Sequence, residues 1–257
     1  MKNIIVVKLG GNVVSSENSK VLQGIKELHD EGNRVIIVHG GGETITHYLD
    51  ALSIPFEKID GLRATSKEVL EVTTMVLSGK VNKELVAKCT QSGLPAIGIS
   101  GCDGGLLHAE KSTDERLGFV GDVKSVNTTL LEKILEMNYI PVVSPIGSDQ
   151  FGQLYNLNAD TAAVSIAVAL EADELLYATD VEGVLINEEV VSNLTKDAAI
   201  KLRKEGIITG GMIPKVMTAL WALENNVNKV RIVNGLHGFS KFSGTQFISN
   251  EVEELLQ

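Results

Sequence analysis

The chain has 257 residues and 44% hydrophobic content, enough for a substantial core in one large domain or two closely joined halves. A formal net charge of −10 argues against nucleic acid or an anionic membrane surface as a partner, since both attract basic proteins. The only cysteines are Cys89 and Cys102, without CxxC spacing, so neither a disulfide framework nor a zinc site is indicated.

The start, MKNIIVVKLGG, lacks a secretory cleavage pattern and passes straight into an apolar run at Ile4–Val7. No apolar run approaches the roughly 20 residues that span a bilayer. Both points predict a cytoplasmic protein. A helix follows around 20–29, then a strand at 34–38 and a helix beginning near Gly42. A long helical stretch starts at Thr65, where Thr65 and Glu68 match a T-x-x-E capping box. Further strands are predicted at 96–99, 141–144, 174–178 and 229–233, and helices at 159–170, 196–204 and 214–225. Near-continuously apolar strands alternating with helices predict an α/β fold with a mostly parallel sheet covered on both faces. Residues 101–124 are polar and glycine-punctuated and read as hairpins near a sheet edge. No linker interrupts the chain, so two lobes on one continuous sheet are expected, with a soft boundary near residue 171.

Ligands of open parallel sheets collect at the carboxyl ends of the strands. Three glycine-rich stretches fall at such ends: Gly10-Gly11, Gly40-Gly41-Gly42 and Gly98–Gly105. Glycine lets backbone N–H groups approach an anion without an intervening side chain, and a helix N-terminus adds unpaired donors. No GxxxxGK[ST] phosphate loop is present, and no GxGxxG follows the first strand. GxSxG is also absent, and the five histidines lack metal spacing. His39, beside the second glycine cluster, reads as a packed, hydrogen-bonded residue.

In GGMIPK, Pro214 suits the first helical position, which puts Lys215 in the first turn. A lysine is disfavoured at that positive helix end, so either it points into water or an anion lies nearby. Asp160 opens another helix and could cap it, or could hold lysines by charge-assisted hydrogen bonds.

The landmarks KLGG at 8, VHGGG at 38, DGLRAT at 60, SGKVNKELV at 78, SGCDGG at 100, GFVGDV at 118, NLNAD at 156, ATDVEGV at 178 and GIITGGMIPKV at 206 run in order through the chain. In this the sequence resembles the amino acid kinase family, and within it the members that phosphorylate N-acetyl-L-glutamate. The resemblance implies a three-layer αβα sandwich. Residues 1–170 would form a lobe for amino acid binding and dimerisation, and 171–257 a lobe for ATP. It implies transfer of a phosphoryl group from ATP to the side-chain carboxylate of N-acetyl-L-glutamate, a step of arginine biosynthesis, with Mg²⁺ held mainly by the ATP phosphates.

By the same resemblance Lys8 and Lys215 stabilise the transferring group, Asp160 orients both, and Gly11, Gly41 and Gly42 supply amide donors. Arg63 pairs with the α-carboxylate and Asn156 bonds other polar groups of the substrate. Gly10, Asp180, Gly183, Val184, Leu185, Ile208, Thr209 and Gly210 border the nucleotide. A carrier-linked aminoadipate kinase of lysine biosynthesis and a non-catalytic amino-acid sensor are the alternatives; GLRAT at 61–65 favours acetylglutamate over the first, and retention of both lysines and Asp160 speaks against the second. Relatives inhibited by arginine carry an extra N-terminal helix, for which the first strand leaves no room here. A homodimer not inhibited by that route is therefore expected. Residues 101–124 are expected to lid the amino acid.

Overall fold

The computed structural model describes residues 3–16, 20–240 and 243–248. The apolar runs form the middle of an eight-stranded sheet. Its strands are β1 (Ile4–Leu9), β2 (Arg34–His39), β3 (Ala96–Ser100), β6 (Ile140–Ser144), β9 (Glu174–Thr179), β10 (Asn193–Thr195), β11 (Lys229–Asn234) and β12 (Thr245–Ile248). Their spatial order is β10-β12-β11-β9-β1-β2-β6-β3. From β11 to β3 all neighbours are parallel, and β12 runs antiparallel to β11. β1 lies in the middle and is buried along its whole length, as a run of Ile and Val covered on both faces requires.

The sheet carries helices on both faces. Ile4, Val6, Leu175 and Tyr177 share a core with α7 (Ala159–Ala169) and α9 (Met212–Glu224). Ile5, Val7, Leu9 and Ala178 face the opposite layer, with α2 (Val21–Asp30) and α5 (Asn82–Gln91). The 101–124 segment does form a hairpin, β4 (Leu107–Lys111) with β5 (Val120–Val126). The hairpin is incorporated into a small closed barrel with β7 (Ile146–Ser148) and β8 (Leu154–Leu157), strands the sequence reading did not anticipate. Gly98, expected in a turn, lies inside β3. A side chain there would meet Asn82 Oδ1 at 2.1 Å, so its role is close packing.

The expected capping box is not formed. Ser66 caps α4 (Lys67–Thr74), accepting from Val69 N–H at 3.2 Å. Thr65 is held out of the helix because its own N–H donates to Leu117 O at 2.9 Å. The helical run continues through a seven-residue π-helical stretch, Met75–Val81, into α5.

His39 is fully buried, as expected of a packed histidine. Gly40 O lies 3.1 Å from its Nδ1 and can only accept, so Nδ1 carries the proton. Nε2 then accepts from Asn82 Nδ2 at 3.1 Å, and the same amide donates to Val142 O at 2.8 Å. Burial drives the imidazole from 6.5 down to about 4, against the Gly40 hydrogen bond. The unfolded chain therefore takes up this proton first. The stability that neutral His39 contributes is complete above about pH 6.5 and is lost as pH falls towards 4. At roughly 1.4 kcal/mol per pH unit, urea denaturation should register up to about 2 kcal/mol lost between pH 6.5 and 5. His39→Asn should lack that component; an equal loss in both proteins would contradict it.

Candidate active site

The pleat of β1 decides where its lysine goes. Side chains of a strand alternate between faces. Ile5, Val7 and Leu9 fill one core and Ile4 and Val6 the other, so Lys8 emerges on the face of Ile4 and Val6, under α7. Lys8 is buried, and its Nζ lies 2.7 Å from Asp160 Oδ1.

Asp160 is the second residue of α7, a helix made of ADTAAVSIAVA and buried on most sides. Its small side chains let it sit close against the sheet. The cap of this helix is Asn158, whose Oδ1 accepts from Asp160 N–H at 2.8 Å and from Thr161 N–H at 3.1 Å. The alternative that Asp160 caps the helix is thereby settled, and its carboxylate is left to bind cations. Lys215 Nζ is 3.8 Å from Asp160 Oδ2. α9 starts at Met212, so Pro214 is its third residue rather than the first, and Lys215 still falls in the opening turns. Burial alone would raise the Asp160 carboxyl. The ammonium groups of Lys8 and then Lys215 outweigh burial and hold it below its ordinary range.

Above this triad the two leading glycine turns pack back to back. A side chain at Gly11 would lie 3.4 Å from Gly42 N, and one at Gly41 would meet Leu77 at 2.8 Å. α3 (Gly42–Ala51) starts at Gly42 without a side-chain cap, so its first N–H groups remain available to a ligand. A cleft of about 240 Å³ is lined by Lys8, Gly11, Gly41, Gly42, Arg63 and Asn156, among others. Such a volume suits a molecule the size of an amino acid derivative. Of the 101–124 segment, Val120 lines it.

Arg63 is buried. Its Nη2 donates to Gly42 O at 2.9 Å and Thr46 Oγ1 at 2.8 Å, and its guanidinium stacks over Phe56 at 4.3 Å. Nη1 is also buried and has no protein acceptor. A buried, unpaired guanidinium N–H in the wall of a cleft is matched to an anionic ligand.

The residues expected around a nucleotide are not among those that line this cleft, although Gly10 adjoins Gly11, which is. Gly10 N–H donates to Ala178 O at 2.9 Å, joining the ends of β1 and β9. Asp180 accepts from Asn12 Nδ2 at 2.7 Å and Thr179 Oγ1 at 3.0 Å. Burial opposes ionisation of its carboxyl, and the Asn12 and Thr179 hydrogen bonds win, holding it below its ordinary range. Gly183 has φ +152°, and a side chain there would meet Thr245 Oγ1 at 2.6 Å. Val184 and Ile208 have buried side chains, while Leu185 is exposed. Thr209 O accepts from Met212 N–H at 3.1 Å, and Gly210, at φ +53°, completes the turn into α9.

Sequence reasoning missed Asn158, Asn12 and Lys58, the last of which also lines the cleft. Asn158 did carry a signal, since asparagine before a helix is a favoured cap. The Asn12 and Lys58 placements arise only in the folded chain. Asn158→Ala should cost about 1 kcal/mol in urea denaturation through loss of the cap. The turn that carries Asp160 would loosen with it, so activity should fall as well. Unchanged stability would show that Asn158 does not hold this turn.

The amino acid kinase family profile matches residues 3–234. Acetylglutamate kinase from Geobacillus sp. strain WCH70 is 47% identical over 255 residues, covering 98% of this chain and 99% of that relative. Acetylglutamate kinase from Geobacillus kaustophilus is 49% identical over 235 residues, 91% of each chain. A crystal structure from Streptococcus mutans superposes with a TM-score of 0.86 at 33% identity, covering 96% of this chain and 99% of that one. Carbamate kinase from Giardia lamblia, at 16% identity and a TM-score of 0.72 over 97% of this chain and 99% of its own, shares the fold. The chain belongs to the amino acid kinase family.

Proposed function

We propose that this chain is an acetylglutamate kinase, transferring the γ-phosphoryl group of ATP to the side-chain carboxylate of N-acetyl-L-glutamate. Full-length relatives carrying that name support the reading. The observation that carries it is a small cleft walled by Lys8, already paired to Asp160, and by Arg63 with a buried N–H to spare. Acetylglutamate brings two carboxylates, one to be anchored and one to be phosphorylated.

The acceptor carboxylate is ionised at neutral pH, with an ordinary pKa of about 4, so no general base is needed. One of its oxygens attacks the γ-phosphorus, and the bond to the β–γ bridging oxygen breaks to release ADP. The obstacle is repulsion between two anions, and catalysis is a matter of alignment and charge neutralisation. In this proposal Lys8 and Lys215 neutralise charge on the transferring group and Asp160 fixes both ammonium groups. Gly11, Gly41 and Gly42 present amide donors to it, Arg63 anchors the α-carboxylate, and Asn156 bonds the acylamino group. Gly10, Asp180, Gly183, Val184, Leu185, Ile208, Thr209 and Gly210 border ATP, largely through backbone, since Val184 and Ile208 are buried.

ATP supplies the phosphoryl group, and Mg²⁺ screens its phosphates. Among the described residues no three His, Cys, Asp or Glu side chains gather as a metal site, and Asp160 is engaged by two lysines. In this proposal Mg²⁺ would be held mainly by the ATP phosphates. Residues 1–170 serve as the amino acid lobe and 171–257 as the nucleotide lobe of a cytoplasmic homodimer. Among the described residues no helix is long and apolar enough to cross a membrane.

ADP release measured with ATP against acetylglutamate, glutamate, aspartate and aminoadipate tests the substrate assignment. Acetylglutamate should give the highest kcat/KM; preference for aminoadipate, or no turnover with any acid, would overturn it. Lys8→Ala should cut kcat by 100-fold or more with a smaller change in KM, because its contact strengthens in the transition state. Arg63→Ala should mainly raise the acetylglutamate KM, and an unchanged KM would remove Arg63 from the site.

A further inference from the structure

Thr65 is 1% exposed and lies behind the cleft wall. Its hydroxyl has one proton and two neighbours. Arg63 O, at 2.7 Å, is a carbonyl and can only accept, so the proton goes there. The other neighbour is the Asn156 carboxamide, whose Nδ2 is 3.1 Å from Thr65 Oγ1. With its proton committed, the hydroxyl can only accept from Asn156. That fixes which end of the amide faces Thr65: the NH₂ turns inward, and Oδ1 is the end left for a ligand.

The backbone of Thr65 makes the same connection. Its N–H donates to Leu117 O at 2.9 Å, and its O accepts from Phe119 N–H at 2.8 Å. Phe119 O in turn accepts from Asn156 N–H at 3.0 Å. Arg63 and Asn156 come from segments 93 positions apart in the chain, and this one buried residue joins them.

We infer that Thr65 is a positioning residue that presents Asn156 Oδ1 to the cleft as a hydrogen-bond acceptor, and so selects a substrate bearing an amide N–H on its α-carbon. The inference rests on the acetylglutamate reading and deepens it. A site whose acceptor is covered by the bound ligand and needs an N–H rejects an analogue that lacks one, because the acceptor is then left unpaired. In Thr65→Val the hydroxyl is gone, the amide is free to turn over, and that selectivity should fade. Thr65→Ser keeps the hydroxyl and should keep the selectivity.

The test compares acetylglutamate with its ester analogue, 2-acetoxyglutarate, in which oxygen replaces the N–H. Competitive inhibition by the analogue and the acetylglutamate KM are measured in wild type, Thr65→Val and Thr65→Ser, with thermal melts to verify folding. Wild type and Thr65→Ser should bind the analogue at least about tenfold more weakly than acetylglutamate. In Thr65→Val the acetylglutamate KM should rise about tenfold, the analogue should lose less than threefold, and the KM for ATP should stay within twofold. Equal losses for both ligands in Thr65→Val, or a Thr65→Ser protein that behaves like it, would overturn the inference in favour of simple packing. If Thr65→Val fails to melt cooperatively, the wild-type ratio and Thr65→Ser decide: a ratio near one overturns the inference. Absence of turnover by wild type with acetylglutamate, alongside normal binding selectivity, would instead contradict the functional reading.

Discussion

One buried carboxylate holds two lysines. Asp160 accepts Lys8 from the central strand and Lys215 from the start of α9, and the three groups together carry one net positive charge. Burying any of them alone would be costly, and a buried charge persists where its partners are fixed. The rest of the active site follows from meeting that condition. The pleat of β1 turns Lys8 towards α7. The alanines of α7 bring its first turn down onto the sheet, and Asn158 satisfies that turn so that the Asp160 side chain is free. The surplus positive charge is then a fixed feature of the fold, and in the proposed mechanism it meets the phosphoryl group without reorganisation.

The glycine turns supply what the lysines cannot. Lysine gives a point charge on a flexible stem, whereas backbone amides at a helix start give fixed donors. Gly11 lies against Gly41-Gly42, where a side chain would come within 3.4 Å of Gly42 N, and Leu77 closes the space behind Gly41, 2.8 Å from where a side chain there would begin. Arg63 reaches the same cleft through a different support, stacked on Phe56 and tied to Gly42 O and Thr46. The π-helical stretch that holds Leu77 and the little barrel that holds Asn156 are therefore parts of the site wall as much as of the fold.

Much of this was legible in the residues. Runs such as IIVV and RVIIV announce buried parallel strands, and the glycine turns at their ends fall where a ligand of such a sheet would sit; Arg63 and Asn156, which line the same cleft as Lys8, Gly11, Gly41 and Gly42, were pointed to by the family resemblance alone. What was hidden depends on contacts between distant segments. Thr65 looked like a helix cap because T-x-x-E is a local pattern, and it was claimed instead by Leu117 and Phe119 of the barrel region. Pro214 looked like the first residue of its helix, and two apolar residues extended the helix before it. β7 and β8 are short, and their pairing with a distant hairpin leaves no periodic signal. Asn158 showed a local cap preference that the more conspicuous aspartate beside it masked.

In the proposed mechanism the Asp160 charge is the element that aligns both lysines. Asp160→Asn keeps the shape of that side chain and removes the charge, so steady-state ADP release with saturating ATP and acetylglutamate isolates the effect. The kcat should fall at least about 100-fold below wild type, with both KM values changed by only a few-fold. A variant that turns over within a few-fold of wild type would contradict it.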